Sequence, residues 1–151
     1  MNRRQFLRQV EGLSAGALAA GAAGAALPLG GCIGFHYVTS TLAGNRLVIR
    51  RAEFGAGRFV LVDAPGEPLP LYVYRQDDGS YSAVSTRCMH RGCQVEPAAG
   101  HLVCPCHGSE YTNDGGVVKG PTQEPLRRFP VFVEGDEILI EIRVPGSPRE
   151  R

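Results

Sequence analysis

From Phe35 onward, apolar residues fall in short runs and show no sustained helical spacing. The runs are rich in β-branched and aromatic residues, which favour strands. The predicted strands are Phe35–Val38, Arg46–Ile49, Arg58–Val62, Leu71–Tyr74, Tyr81–Val84, Phe129–Val133 and Ile138–Ile142. Polar residues and glycine at 77–79 and 134–136 mark turns between successive runs. We therefore expect an all-β fold, a small antiparallel sandwich or barrel.

The strand pattern fades over about residues 86–124, where Cys, His, Gly and Pro become frequent. This segment lies within a single domain predicted for residues 32–151. Loops carried by a rigid scaffold are where binding residues concentrate. We expect a loop subdomain, inserted into the β domain, to hold the functional site.

Residues 1–31 have the pattern of an export signal or membrane anchor. The pair Arg3-Arg4 stands shortly before an Ala/Gly/Leu run at residues 12–31. A basic start followed by a weakly apolar stretch is typical of export signals, and the paired arginines resemble the twin-arginine type. Glycines in the run disfavour a soluble helix. The sequence thus predicts a protein at the periplasmic, extracytoplasmic face of a membrane.

The residues after this run, Leu29-Gly30-Gly31-Cys32, resemble a lipoprotein box. In proteins with that motif the cysteine becomes the lipidated N-terminus, and acyl chains hold the protein at the membrane. Lipidation at Cys32 is one expectation. The run retained as an anchor and simple cleavage are the two alternatives, because twenty apolar residues are long enough to span a bilayer.

Charge and composition narrow the possibilities further. The 16 Lys and Arg nearly balance the 15 Asp and Glu, which gives no reason to expect nucleic acid or a strongly charged partner surface. The 20 glycines and 11 prolines agree with a loop-rich β protein. Of five cysteines, four lie between positions 88 and 106, so the chemistry is expected there.

Two short clusters in this segment each combine cysteine with histidine. Cys88 and His90 belong to the first cluster, and Cys104 and His107 to the second. Within each cluster, one tight loop can aim a thiolate and an imidazole at the same metal site. The 13 residues between His90 and Cys104 suit a hairpin, with its turn at 98–100. Two alternatives to a redox metal site are a structural zinc site and a domain that uses its cysteines only in disulfides. The spacing of the cysteines and histidines matches no common zinc finger.

The pattern C-x-H…C-x-C-H-G-S closely resembles the Rieske iron–sulfur proteins, particularly those of cytochrome bc and b6f complexes. The resemblance is strong from Cys88 to about Pro121. It implies one [2Fe–2S] cluster, with Cys88 and Cys104 on one iron and with His90 and His107 on the other. Histidine ligands raise the reduction potential of such a cluster. The resemblance also implies a disulfide between Cys93 and Cys106.

Further positions match the family around the cluster. By the resemblance, the hydroxyls of Ser109 and Tyr111 donate hydrogen bonds to a bridging sulfide and to a ligand sulfur, which favours the reduced cluster. The pair Gly120-Pro121 resembles the proline loop that covers the cluster from a third side. The resemblance implies a protein that by itself would only transfer electrons, as a subunit of an oxidoreductase, so no catalytic residue is expected.

The family implies a quinol-oxidising respiratory chain, with cytochrome b, a c-type cytochrome and quinol as partners. Arg91 and Met89 depart from that pattern, because quinol-oxidising members usually have an apolar residue and a small polar residue there. An alternative is the electron-transfer small subunit of another exported oxidoreductase, of the arsenite-oxidase type. A ferredoxin of an aromatic-ring oxygenase is disfavoured, because those proteins are cytoplasmic and generally lack the second cysteine pair.

Overall fold

The computed structural model describes residues 35–143. The predicted export segment and the lipidation site at Cys32 lie outside these residues. No helix in the described part of the chain is long and apolar enough to cross a membrane. The strands are β1 Tyr37–Val38, β2 Thr41–Ala43, β3 Arg46–Arg50, β4 Phe59–Val62, β5 Leu71–Arg75, β6 Tyr81–Ser85, β7 Glu96–Ala98, β8 His101–Val103, β9 Glu110–Tyr111, β10 Val117–Lys119, β11 Arg128–Phe129, β12 Val131–Glu134 and β13 Glu137–Glu141. A 3₁₀ turn at Arg51–Phe54 follows β3.

These strands form three sheets, and the predicted all-β class is confirmed. The first sheet has the order β1-β4-β5-β6-β11, the second β10-β9-β8-β7 and the third β12-β13-β3-β2. The paired strands are antiparallel except β1 and β4. The expected turns at 77–79 and 134–136 connect β5 to β6 and β12 to β13. Gly79 and Gly135 adopt positive φ there, which glycine does without steric cost.

One run was predicted as a single strand, and the structure divides it. Phe129–Val133 splits at Pro130 into β11, which pairs with β6 in the first sheet, and β12, which pairs with β13 in the third. Proline has no N–H to donate to a ladder, so a strand crosses between sheets at little cost there. The carbonyl of Pro130 still accepts a hydrogen bond, from the N–H of Glu141.

The first sheet is buried on both faces, and this places the functional region. Alternate residues of β4 and β5 point to opposite sides because the side-chain period of a strand is two. Val60 and Val73 pack with the third sheet in one core, while Leu61 and Tyr72 belong to a second core. The second core also contains Leu102, Tyr111, Cys88 and Cys104. The cysteines therefore pack on the face of the first sheet that lies opposite the third sheet.

Candidate metal centre

The first cysteine cluster forms a tight loop at residues 88–93, called here the Cys88 loop. The N–H of Cys88 donates to the carbonyl of Cys93 at 2.8 Å, and the N–H of Gly92 donates to the carbonyl of Cys88 at 2.8 Å. Gly92 has a φ of 78°, a conformation that other residues adopt only with strain. The loop therefore closes on its own backbone.

The second cluster, the Cys104 loop at residues 104–109, repeats this backbone pattern. The N–H of Cys104 donates to the carbonyl of Ser109 at 2.8 Å, and the N–H of Gly108 donates to Cys104 at 2.9 Å. Gly108 has a φ of 74°. The two loops are thus structural copies, although the first has His two residues after its leading cysteine and the second has His three residues after it.

The leading cysteine of each loop is a buried, free thiol. Cys88 is 2% exposed and Cys104 is 1% exposed. Each sulfur accepts hydrogen bonds from the backbone N–H groups two and three residues farther along its own loop. Four donors aimed at two sulfurs stabilise negative charge on them. Both thiols are therefore suited to ligate a metal as thiolates.

The two thiols differ in acidity. Burial works against ionisation of Cys88, but hydrogen bonds from the Tyr111 hydroxyl and from backbone N–H groups hold the pKa of its thiol below the ordinary value. Burial and the neighbouring Cys88 raise the pKa of the Cys104 thiol. The pair therefore favours one negative charge over two until a cation shares the site.

His90 and His107 lie together, and each belongs to the loop of one of these thiols. Their ring centroids are 4.8 Å apart and their planes are nearly perpendicular, at 89°. His90 is half-buried, and its Nδ1 has no hydrogen-bond partner within residues 35–143. A buried ring nitrogen without a partner is costly. A metal group with mixed nitrogen and sulfur ligands fits this donor set and would satisfy that atom.

A disulfide joins the two loops. Cys93 and Cys106 are bonded at 2.09 Å, with their Cα atoms 6.5 Å apart, and the predicted pairing is confirmed. The sulfur of Cys104 lies within 4.8 Å of both disulfide sulfurs. This trio is not a metal site, because bonded sulfurs are not thiolates. The disulfide instead fixes the spacing of the loops and leaves Cys88 and Cys104 free.

Tyr111 contacts the Cys88 sulfur from the second core. Its side chain is fully buried, and its hydroxyl oxygen is 3.2 Å from Cys88 Sγ. The N–H of Met89 donates to the same oxygen at 3.3 Å. Either group can donate while Cys88 is a thiol, but an ionised Cys88 sulfur has no proton to give, so the hydroxyl is then the donor. Burial, and then the contact with Cys88, raise the pKa of Tyr111, so the phenol keeps the proton that it donates.

Ser109 ties a third segment to the site. Its hydroxyl is fully buried and accepts a hydrogen bond from the N–H of Thr122 at 3.3 Å. The exposed residues Gly120 and Pro121, joined by a cis peptide bond, come just before Thr122. This contact holds the segment at 117–123 beside the Cys104 loop. Sequence reasoning did not identify Thr122, because its contribution is a backbone N–H that every residue except proline possesses.

Two hollows on the described surface lie away from both cysteine loops. They have volumes of about 360 and 390 Å³ and lie near β2 and β3, and none of their lining residues belongs to either loop. His107 is exposed, and Met89 is 42% exposed. The imidazole side of the site therefore faces outward, while the thiol side is buried against Tyr111.

Comparisons with known proteins agree with this geometry. A family model described as the Rieske [2Fe-2S] domain matches residues 45–130. The cytochrome b6-f complex iron-sulfur subunit of Gloeobacter violaceus is 30% identical, over 93% of this chain and 82% of that protein. The corresponding subunit of Chlorobaculum tepidum is 37% identical, but over 53% of this chain and about half of that protein, 49%. The crystal structure of the plasma membrane Rieske protein PetC3 from Synechocystis PCC 6803 is similar with a TM-score of 0.55 and 35% identity, over 61% of this chain and 94% of that one.

Proposed function

The chain belongs to the Rieske [2Fe–2S] family, and from that membership we propose that Cys88, His90, Cys104 and His107 hold its single cluster. The two cysteines ligate one iron and the two histidines the other. The observations that support this assignment are two buried free thiols and two neighbouring imidazoles, supplied by two loops of the same backbone form. The other two loop cysteines, Cys93 and Cys106, are bonded to each other in the disulfide.

The protein works in electron transfer, as the iron–sulfur component of a cytochrome b6f-type complex. When bound, the cluster takes up and releases one electron at a time, at a potential raised by its neutral histidine ligands. The chain itself determines which side of the cluster is accessible to partners. It buries the thiol side against Tyr111 and exposes His107, so electrons are exchanged at the imidazole edge.

Cytochromes of such a complex are the proposed partners, and quinol is the proposed donor. The relatives that support this proposal are named as b6-f complex subunits. The export signal and a tether at Cys32 or through residues 12–31 would place the domain on the periplasmic side of the membrane. Membrane location is supported by the plasma membrane protein PetC3, which this chain resembles.

A second candidate function rests on one residue. Arg91 is exposed in the Cys88 loop, directly after His90. Burying an unpaired guanidinium in an apolar quinol pocket costs several kcal/mol, by an order-of-magnitude estimate. Electron donation to another exported oxidoreductase, through a polar protein interface, avoids this cost.

The decisive experiment is an EPR spectrum of the purified, reduced protein, recorded during a potentiometric titration together with iron and sulfide analysis. We expect a Rieske-type signal and a high midpoint potential. A potential that falls as pH rises would favour the quinol chain over the second candidate. Zinc in place of iron, or no metal, would overturn the cluster assignment.

Matched histidine variants test the ligand set. His90→Ala is expected to abolish the signal and lower the bound iron. His101→Ala is the control, because it removes a histidine that lies outside both cysteine loops. His101 is on β8, and its Nε2 is 3.8 Å from Glu110. Iron and signal retained in His90→Ala would contradict the ligand role of His90.

A further inference from the structure

The segments around the proposed cluster share one sign of charge. They are residues 86–95, 103–109 and 117–123, which include both cysteine loops and the segment joined to Ser109 through Thr122. Together they contain Arg87, Arg91 and Lys119 and no Asp or Glu, and a glutamate directly follows each segment, at Glu96, Glu110 and Glu124. The near balance of charge over the whole chain hides this asymmetry.

The three cations differ in whether they are neutralised. Lys119 donates to Glu110 at 2.9 Å. Within residues 35–143, Arg87 and Arg91 have no carboxylate within 4.0 Å, which is also true of Arg50, whereas Arg58, Arg127 and Arg128 each have one. A guanidinium exposed without an anionic partner keeps its binding capacity for another molecule.

Both arginines lie in the Cys88 loop or directly before it. Arg91 takes the place in the Cys88 loop that His107 takes in the Cys104 loop, three residues after the leading cysteine. Arg87 lies across Gly92, with its Nε 3.2 Å from the position that a Cβ at residue 92 would occupy. Residues 87–92 therefore carry two exposed cations within three residues of His90.

We propose that this Arg87–Arg91 face docks an acidic redox partner protein, whose carboxylates pair with the two guanidinium groups during electron transfer. The proposal rests on the proposed function and adds the chemistry of the partner. Carboxylates suit guanidinium because the fork of donors binds two oxygens at once. Opposite charges on two proteins also steer their encounter, and the effect weakens as salt rises.

The first test compares oxidants of opposite charge. Reduced, cluster-containing protein is oxidised in a stopped-flow instrument by ferricyanide, a trianion, and by tris(phenanthroline)cobalt(III), a trication. At low ionic strength we expect the double variant Arg87→Gln/Arg91→Gln to lower the ratio of the anionic rate to the cationic rate by about tenfold, within the range for electrostatic steering. The effect should vanish at high salt, and Arg91→Lys should keep the wild-type ratio.

The matched control is Arg50→Gln. Arg50 is exposed on β3 in the third sheet, on the other side of the first sheet from the loops. Its ratio of rates is expected to equal that of the wild type. An equal change in Arg50→Gln, or no change in the double variant, would overturn the docking proposal.

The second test uses an acidic polymer as the probe. Binding of fluorescent poly-L-glutamate to the oxidised holoprotein is measured by anisotropy, with poly-L-lysine as the probe of reversed charge. We expect poly-L-glutamate to bind the wild type and to lose about tenfold in affinity for the double variant. Equal binding to both proteins would contradict the proposal. EPR of each protein distinguishes failure of the docking proposal from failure of the proposed function. A wild-type protein without the cluster would overturn the proposed function. A retained cluster with unchanged charge selectivity would overturn the docking proposal alone.

Discussion

Single contacts around the Cys88 sulfur explain how the chain tunes this site. The sulfur accepts backbone N–H groups of its own loop and the hydroxyl of Tyr111, at 3.2 Å. Hydrogen bonds to a charged acceptor are stronger than those to a neutral one. A reduced cluster carries one more negative charge than an oxidised cluster, so each donor favours reduction.

Tyr111→Phe removes one of these donors and keeps the buried ring. The variant is expected to lose about 1 kcal/mol of preference for the reduced state. This loss corresponds to a midpoint potential about 40 mV lower, because 59 mV changes the equilibrium constant of a one-electron couple tenfold. Potentiometric EPR measures the change. Tyr74→Phe is the control, because Tyr74 accepts only a long, exposed contact of 3.4 Å from Arg58. Equal potentials in Tyr111→Phe and the wild type would show that the hydroxyl does not donate to the site.

At the scale of elements, the two cysteine loops depend on one covalent link. Cys93 and Cys106 are 13 residues apart in sequence, and their disulfide holds the loops against each other. Such a bridge stabilises mainly by restricting the unfolded chain, and a loop of this size contributes about 3 kcal/mol.

Replacing both disulfide cysteines by serine should therefore destabilise the fold and loosen the site. We expect a loss of about 3 kcal/mol in the free energy of unfolding, measured by urea denaturation of the metal-free protein. In the holoprotein we expect faster loss of iron to a chelator. Iron retention equal to that of the wild type would mean that hydrogen bonds within each loop suffice.

The β9–β10 turn carries an acidic group with a testable pH dependence. The hydroxyl of Thr112 donates to Asp114, and the Arg128 guanidinium lies 2.7 Å from it, which together hold the pKa of Asp114 below its usual range. A lowered folded-state pKa stabilises the fold above the ordinary Asp pKa of about 4. That stability is lost as pH falls through the folded-state pKa.

Asp114→Asn should thus be less stable than the wild type at pH 7, by under about 1 kcal/mol because the pair is exposed. The difference should shrink as pH falls below about 4, and thermal unfolding across this range measures it. Asp136→Asn, at an exposed turn, serves as the control. A difference that grows in acid would contradict the assigned sign.

At the scale of the whole molecule, the first sheet lies between two cores, and one of them contains the two free cysteines of the proposed site. One core, containing Ile140, lies between the first and third sheets, and the other, containing Leu102, lies between the first sheet and the loops. Both side chains are fully buried. Changes in the two cores should therefore have different consequences.

Ile140→Ala should lower the free energy of unfolding by about 2–5 kcal/mol and leave the EPR signal and midpoint potential unchanged. Leu102→Ala should cost a similar amount but also alter the signal, because Leu102 packs in the core that contains Cys88 and Cys104. Denaturation and potentiometric EPR of both variants measure these effects. A shifted potential in Ile140→Ala would show that the two cores are coupled.

The sequence by itself determined the β class, most strands and the site motif. A strand's alternation and a loop's C-x-H spacing are read over a few neighbouring residues, so the pattern is visible without the fold. The resemblance also supplied the pairing of Cys93 with Cys106, which the structure confirms. The short strands β2 and β7 to β10 were not predicted individually, because two or three residues carry too little periodicity.

Only the tertiary structure decided which groups meet around the site. The burial of Cys88 and Cys104, the N–H of Thr122 on Ser109 and the unpaired state of Arg91 within residues 35–143 depend on segments far apart in sequence. So does the sharing of the first sheet between two cores. Local preferences set the elements, but desolvation and hydrogen-bond partners arise only when the elements pack, and these control the chemistry of the sulfur atoms.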